Sequence, residues 1–241
     1  MNELNLILLG TAGAGKSLLT ARFGNWLEEM GRKLVYINLD PGCESTPYEP
    51  DFDIRRYFTI SELMRKEGLG PNGAMIRACE LMEEKAHELA LHMNSVEGDI
   101  RMVDTPGQME VFLFHGGPEI ARLMKGFTVC VFLMDARIAL QSFGGTFVRL
   151  LGISVGLRMG VPTVNILNKV DLIDKEKLSK ALECPEPTEG VLSDLALQLS
   201  KTVLQFRLPA RLVWVSALTG EGFSELYDLI QETRCACGDL T

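Results

Sequence analysis

The sequence predicts a single α/β domain built on a doubly wound, mainly parallel sheet with a helical insertion, and three observations carry that prediction. Short apolar runs alternate with segments of helical periodicity along the chain, the pattern of a sheet covered by crossover helices. The run Phe127 to Met134 is almost continuously apolar, as expected of a central strand covered on both faces. A length of 241 residues, 46% hydrophobic and 23% charged, suits one domain over residues 1–241, with an insertion at about 45–95, better than two domains.

Taken in order, the apolar run Leu4 to Leu9 is a strand that opens into the glycine-rich stretch Gly10-Thr-Ala-Gly-Ala-Gly15-Lys16-Ser17. A helix from about Gly15 to Met30 comes next, with Leu19, Phe23, Trp26, Leu27 and Met30 at helical spacing and Gly31 where a C′ residue stands. Leu34 to Leu39 is a second strand, ending in the turn signal Asp40-Pro41-Gly42. Joined by a crossover helix, these two strands should be parallel and right-handed. The composition changes between about Ser45 and Ser95, where β-branched residues thin out and one long helical stretch runs from about Ala74 to Met93. Its stripe of Met75, Cys79, Met82, Ala86, Leu89 and Met93, spaced 4, 3, 4, 3, 4, is read as packing on the parent domain. The competing reading is contact with a second subunit, because Met suits adaptable surfaces and Met64 also falls in this insertion.

Seven further elements are expected. Ile100 to Val103 is a strand delivering Asp104-Thr105-Pro106-Gly107-Gln108, and Phe127 to Met134 is the central strand. A helix from about Leu140 to Arg158 leads into the strand Thr163 to Leu167, which delivers Asn168-Lys169-Val170-Asp171. Residues Asp174 to Leu208 read as helical with a break at Cys184 to Pro187. Leu212 to Val215 is the last strand and Phe223 to Thr233 the last helix.

Bulk charge narrows the function. A net charge of −8 and an isoelectric point near 5.0 argue against a broad nucleic-acid or anionic-membrane surface, so neither nucleic acid nor membrane is an expected partner. No basic-flanked apolar segment opens the chain, and its longest strongly apolar run falls far short of the ~20 residues that span a bilayer. A cytoplasmic protein is expected. Six scattered cysteines fit a reducing compartment, and only Cys235 and Cys237 invite a metal reading, weighed against a frayed tail.

The chemistry gathers at the strand ends. Ligands of open α/β sheets bind beyond the carboxyl ends of strands, and Gly10, Asp40, Asp104, Asn168 and Ser216 each stand directly after a predicted strand. Gly10, Thr11, Ala12, Gly13, Ala14, Gly15, Lys16, Ser17 and Leu18 form a phosphate cradle in its required strand-to-helix setting. Lys16 would reach the β- and γ-phosphates, and Ser17 would complete a Mg²⁺ site. Asp104 fits the acidic residue that holds Mg²⁺, with Asp40 as a further candidate for the metal. Gly107 can donate its N–H to a γ-phosphate, which would make residues 107 to about 117 a switch.

Asp171 selects the base. Its carboxylate accepts from both N1–H and the exocyclic amine of guanine, donors that adenine lacks on that edge. Asn168 would brace the loop or meet the purine, and the stem of Lys169 would cover the base. Ser216, Ala217 and Leu218 would supply a backbone N–H to the guanine O6.

These motifs, in this order, resemble a P-loop GTPase. Gly70-Pro71-Asn72 in the insertion, with Asn38-Leu39-Asp40-Pro41-Gly42 and Asp104 to Glu110, resembles the signatures of the GPN-loop GTPases. The resemblance implies binding of GTP and GDP and a homodimer in which Asn72 of one subunit approaches the γ-phosphate site of the other. It also implies a part in the assembly or trafficking of large complexes, with no client named by the residues. Hydrolysis would be in-line attack of water, stabilised by Lys16 and Mg²⁺. Gln108, Asp40 and Glu110 are the candidates for orienting that water. Arg55, Arg56 and Arg77 read as solvated or structural, His115 as a hinge or packing residue, and His87 with His92 as no metal pair. Two competing functions are a metallochaperone-type GTPase, which needs a Cys/His site, and a P-loop small-molecule kinase, which needs an acceptor pocket and no role for Asp171.

Overall fold

The structure is a computed structural model describing residues 3–183, 190–205 and 211–238. Leu4–Gly10 forms β1 and Lys16–Glu29 forms α1. Leu34–Asn38 is β2, and Phe52–Asp53 a two-residue strand, β3. The helices Ile60–Glu67 (α2), Pro71–Glu84 (α3) and Ala86–Ser95 (α4) complete the insertion. Ile100–Asp104 is β4, followed by Met109–Phe114 (α5), Gly116–Leu123 (α6) and Phe127–Asp135 (β5). Ala136–Ala139 (α7), Gly144–Met159 (α8), Thr163–Asn168 (β6) and Lys175–Leu182 (α9) come next. Val191–Val203 (α10), Leu212–Val215 (β7) and Phe223–Gly238 (α11) close the chain.

The described strands form one parallel sheet in the order β3-β2-β4-β1-β5-β6-β7. β1 lies between β4 and β5, so every residue of it is buried. Strand alternation then divides the interior in two. Leu4, Leu6 and Leu8 join Phe23 and Leu27 of α1 and Leu226 and Ile230 of α11 on one face. Ile7 and Leu9 join the insertion helices, Phe112 and Val148 on the other. Both faces are therefore covered, which is why the strands read as continuous apolar runs rather than alternating ones.

The insertion packs on its own chain as predicted: Met75, Cys79, Met82, Ala86, Leu89 and Met93 are all buried. Removing side chains of this size from water contributes roughly 1.5–3 kcal/mol each for Met and Leu. The stripe belongs to two helices rather than one, divided at Lys85 with φ −102° and ψ 12°. Periodicity does not register the break, because Lys85 N–H still reaches Leu81 O and Leu89 N–H still reaches Lys85 O. At the far end of α4, the guanidinium of Arg101, fully buried on β4, donates to the carbonyls of Met93 and Val96 and to Glu3 Oε2. A cation against the last carbonyls of a helix satisfies groups that have no intrahelical partner.

Three expectations on element bounds need correction. Residues 109–123, where the sequence places no helix, hold two, and Pro118 is tolerated because it lies in the first turn of α6, where no intrahelical N–H bond is lost. The helix expected from Leu140 begins at Gly144, after the separate short α7. The helix expected to stop at Thr233 continues to Gly238. The break expected at Cys184 to Pro187 lies outside the described residues. No helix among those described is long and apolar enough to cross a membrane.

Candidate functional site

The phosphate cradle is a helix start that leaves its own donors unused. Gly15 is the N-cap of α1 at φ 99°, a left-handed conformation that glycine takes without strain. No described side chain caps that end, so the first N–H groups of α1 face outward, where an anion is favoured by geometry and by the helix dipole. Gly10 is required for a different reason: a Cβ there would lie 2.4 Å from Leu133 O on the neighbouring strand. Lys16, 7% exposed, donates from Nζ to Gly10 O at 2.9 Å and to Thr11 O at 3.4 Å.

Lys16 is surrounded by acids. Burial lowers its pKa, while the charges of Asp104, Asp40 and Glu110 pull it back up. Asp104 closes β4 at 1% exposure, and burial raises its pKa against the opposing pull of Ser17, Tyr48 and Lys16. Its Oδ2 accepts from Tyr48 Oη at 2.9 Å. Its Oδ1 is buried without a hydrogen-bond partner among the described residues. Asp40 is likewise raised by burial, opposed by the N–H of Gly42, by Lys16 and by the N–H of Gly107; Gly42 N–H donates to Asp40 Oδ1 at 2.9 Å. Gly107 N–H, expected to face a γ-phosphate, thus lies beside Asp40.

Three carboxylates face Lys16, and even with Arg55 also acting on Asp40 they leave an excess of negative charge where a polyphosphate would add more. That imbalance, with the orphaned Asp104 Oδ1, fits a hard divalent cation such as Mg²⁺. Ser17, Asp104 and Asp40 are the residues able to hold it. Mg²⁺ is usually held by one or two carboxylates with phosphate and water, so the lack of a three-residue ligand cluster among the described residues does not bear on it.

The base loop is tied to the cradle by side chains. Asn168, at the end of β6, donates from Nδ2 to Ala14 O at 2.8 Å and accepts at Oδ1 from Ala217 N–H at 3.0 Å. One amide therefore joins the loops after β1, β6 and β7. The approach is close enough that a Cβ on Gly15 would stand 2.5 Å from Asn168 Nδ2. Lys169, at φ 68°, donates to Gly13 O at 2.6 Å and pairs with Asp135 Oδ2 at 2.9 Å. These contacts hold a backbone conformation that side-chain-bearing residues rarely adopt. Asp171 lies in a single 3₁₀ turn, Val170–Leu172, and accepts from Ser216 Oγ at 2.6 Å. Ser216 N–H donates to Glu221 O and Ala217 N–H to Asn168, leaving Leu218, 60% exposed, as the member of the triplet to offer an N–H to a base.

The Gly70-Pro71-Asn72 motif is the first turn of α3. Gly70 is the N-cap and Pro71 the first helical residue, where its fixed φ suits the helix and its missing N–H costs nothing. Asn72 Oδ1 accepts from Gln108 Nε2 at 3.1 Å within the same chain, which joins the insertion to the loop after Asp104. Glu110 is exposed in the first turn of α5.

Among the other candidates, Arg55 comes near this rim, where its charge works against the effect of burial on Asp40. Arg55 is bound to Asp53 at 2.6 Å and Arg77 to Glu67, Glu80 and Glu84. His115 divides α5 from α6 and faces Glu83 at 3.6 Å, and His92 meets the hydroxyl of Tyr57. Cys235 is exposed, and the side chain of Cys237 lies outside the described residues.

Two participants escaped the sequence reading. Asp135 closes β5 as Asp104 closes β4, and the strand-end rule would have found it. Its carboxyl is held well below the usual range by Arg137, with Lys169 adding to the effect. Tyr48 carries no motif or periodicity that would mark it.

Residues 8–236 match a family model described as "Conserved hypothetical ATP binding protein". The chain is 37% identical to GPN-loop GTPase PAB0955 of Pyrococcus abyssi, over 98% of this chain and 99% of that protein. It is 31% identical to GPN-loop GTPase 3 of Gibberella zeae, over 85% of this chain and 71% of that one. Its structure matches the crystal structure of PAB0955, a GTPase in apo form, with a TM-score of 0.82 at 35% identity, covering 97% and 98% of the two chains.

Proposed function

The chain belongs to the GPN-loop GTPase family, and from that premise we propose that this GTPase works as a magnesium-dependent homodimeric switch in the cytoplasm, serving assembly of a protein complex. Residues 10–18 bind the phosphates, with Lys16 on the β- and γ-phosphoryl oxygens. Ser17, Asp104 and Asp40 hold Mg²⁺, which when bound neutralises charge on those oxygens. Gln108 orients the water, with Asp40 and Glu110 as alternatives. The water oxygen bonds to γ-phosphorus as the bond to the β–γ bridging oxygen breaks, and GDP and phosphate leave.

One observation carries the guanine assignment: Asn168 fastens the cradle to the loops that present Asp171 and Leu218, so one pocket holds a polyphosphate and reads its base. Although the family model's description speaks of ATP, Asp171 offers an acceptor pair that guanine matches and adenine does not. In the proposed homodimer Asn72, in the first turn of α3, approaches the partner's phosphate site. Supply of that residue in trans would couple turnover to assembly state.

The test is release of labelled phosphate from GTP and from ATP with Mg²⁺, alongside sedimentation with a GTP analogue. GTP should be preferred at least ~100-fold, as expected of two charged hydrogen bonds of about 1.5 kcal/mol each, with free phosphate as product and a dimer in the centrifuge. Equal turnover of ATP, label on an acceptor molecule, or a monomer with the analogue would each contradict the corresponding part.

A further inference from the structure

Tyr48 lies in the connection between β2 and β3, outside every motif in the sequence, yet it touches the residue on which the metal reading depends. Its hydroxyl donates to Asp104 Oδ2 at 2.9 Å. The ring is not free to swing: it stacks on Tyr36 with centroids 5.4 Å apart and planes 23° from parallel. Tyr36 in turn lies over Gly24 of α1, where a Cβ would stand 2.4 Å from its hydroxyl oxygen. The helix that carries Lys16 and Ser17 thus supports a two-ring stack ending on the carboxylate of Asp104.

The terminal torsion of an aspartate is broad and nearly two-fold, so burial alone does not decide which oxygen faces the nucleotide. A directional hydrogen bond from Tyr48 to Oδ2 does decide it, leaving Oδ1 with no hydrogen-bond partner among the described residues, while the Ser17 hydroxyl adds a further pull on the carboxylate. We propose that Tyr48 is a positioning residue for the magnesium site, its phenol holding Oδ2 so that Oδ1 is presented to the cation or to its bound water. This role rests on the magnesium-nucleotide reading of the same pocket. Outer-shell partners of ligating carboxylates fix orientation, and their loss typically weakens metal binding 10–100-fold.

The experiment is a Mn²⁺ titration of the GDP-loaded protein followed by electron paramagnetic resonance, comparing wild type with Tyr48→Phe. The variant should raise the Mn²⁺ dissociation constant roughly 10–100-fold, with GDP affinity in EDTA unchanged. Wild-type or tighter Mn²⁺ binding would overturn the proposal, the latter because it would make the phenol a competitor of the cation. An equal loss of GDP affinity in EDTA would overturn it too, by reducing Tyr48 to a structural role. Should Tyr48→Phe fail to fold, Tyr36→Leu keeps the phenol but removes the ring it stacks on. That variant should weaken Mn²⁺ severalfold, and an unchanged constant would overturn the proposal. Failure of the wild type to bind Mn²⁺ with GDP would sink the magnesium reading itself, a result distinct from the others.

Discussion

Around the base loop, polar groups are matched to protein partners, whereas around the phosphate loop charges are crowded together and one buried carboxylate oxygen is left over. Asn168 uses both ends of its amide, Lys169 meets a carbonyl and a carboxylate, and Asp171 accepts from Ser216. Lys16, Asp40 and Asp104 are instead each shifted against their charged forms by burial. A satisfied network is rigid, and an unsatisfied one stores free energy that a ligand of the right charge releases. The base half is therefore preorganised for recognition, while the phosphate half is complementary to a ligand that brings both a cation and an anion.

Four substitutions break or sharpen that contrast. The largest effect is expected for Asp171→Asn, which exchanges an acceptor for a donor where xanthine carries a carbonyl in place of guanine's amine. Two hydrogen bonds to a charged group, at about 1.5–3 kcal/mol each, set a swing in GTP-over-XTP preference of roughly 10²- to 10⁴-fold, read by competition binding. Unchanged selectivity would detach Asp171 from the base. Next, Lys16→Ala should slow single-turnover phosphate release by about 10²- to 10³-fold, the scale of losing one preorganised donor to a developing charge; wild-type turnover would be incompatible with the mechanism.

The two smaller effects concern stability without nucleotide, and they should have opposite signs. Asn168→Ala strands Ala14 O and Ala217 N–H, at about 1–3 kcal/mol per unpaired buried group. The midpoint of thermal unfolding should fall by roughly 5–15 °C. Asp104→Asn removes a carboxylate whose burial raises its pKa, so the midpoint at pH 7 should rise. Because the folded state holds the Asp104 proton more tightly than the unfolded chain, wild type recovers stability as pH falls through the raised folded value towards 3.8. The advantage of the Asn variant should then narrow between pH 7 and pH 4 in urea unfolding, and an advantage that widened would reverse the sign of the burial effect.

The same contrast explains how much of the molecule was legible in its residues. Strands buried on both faces are plain apolar runs, so β1, β4, β5 and β6 could be placed, and with them the residues at the end of each one. The family assignment and the parallel sheet came from those positions. Asn168 bridging to Ala14 was not legible, because it joins loops 154 residues apart and periodicity carries no information across such separations. Gly116-Gly117-Pro118 carries no helix signal although it starts α6, since proline is excluded from the helix interior but not from its first turn. β3 escaped because two residues give no alternation to detect. Tyr48 escaped because a loop aromatic has no spacing signature, and only coordinates show what its hydroxyl meets.

The bond between Asn72 and Gln108 has a mechanical consequence when set beside Arg101. The insertion is anchored at the C-terminal end of α4 by a guanidinium fixed in the sheet, and it is tethered at the N-terminal tip of α3 to a loop that would feel the third phosphate. A change in the position of Gln108 is therefore passed by one hydrogen bond to the first turn of α3, at the opposite end of the insertion from the Arg101 anchor.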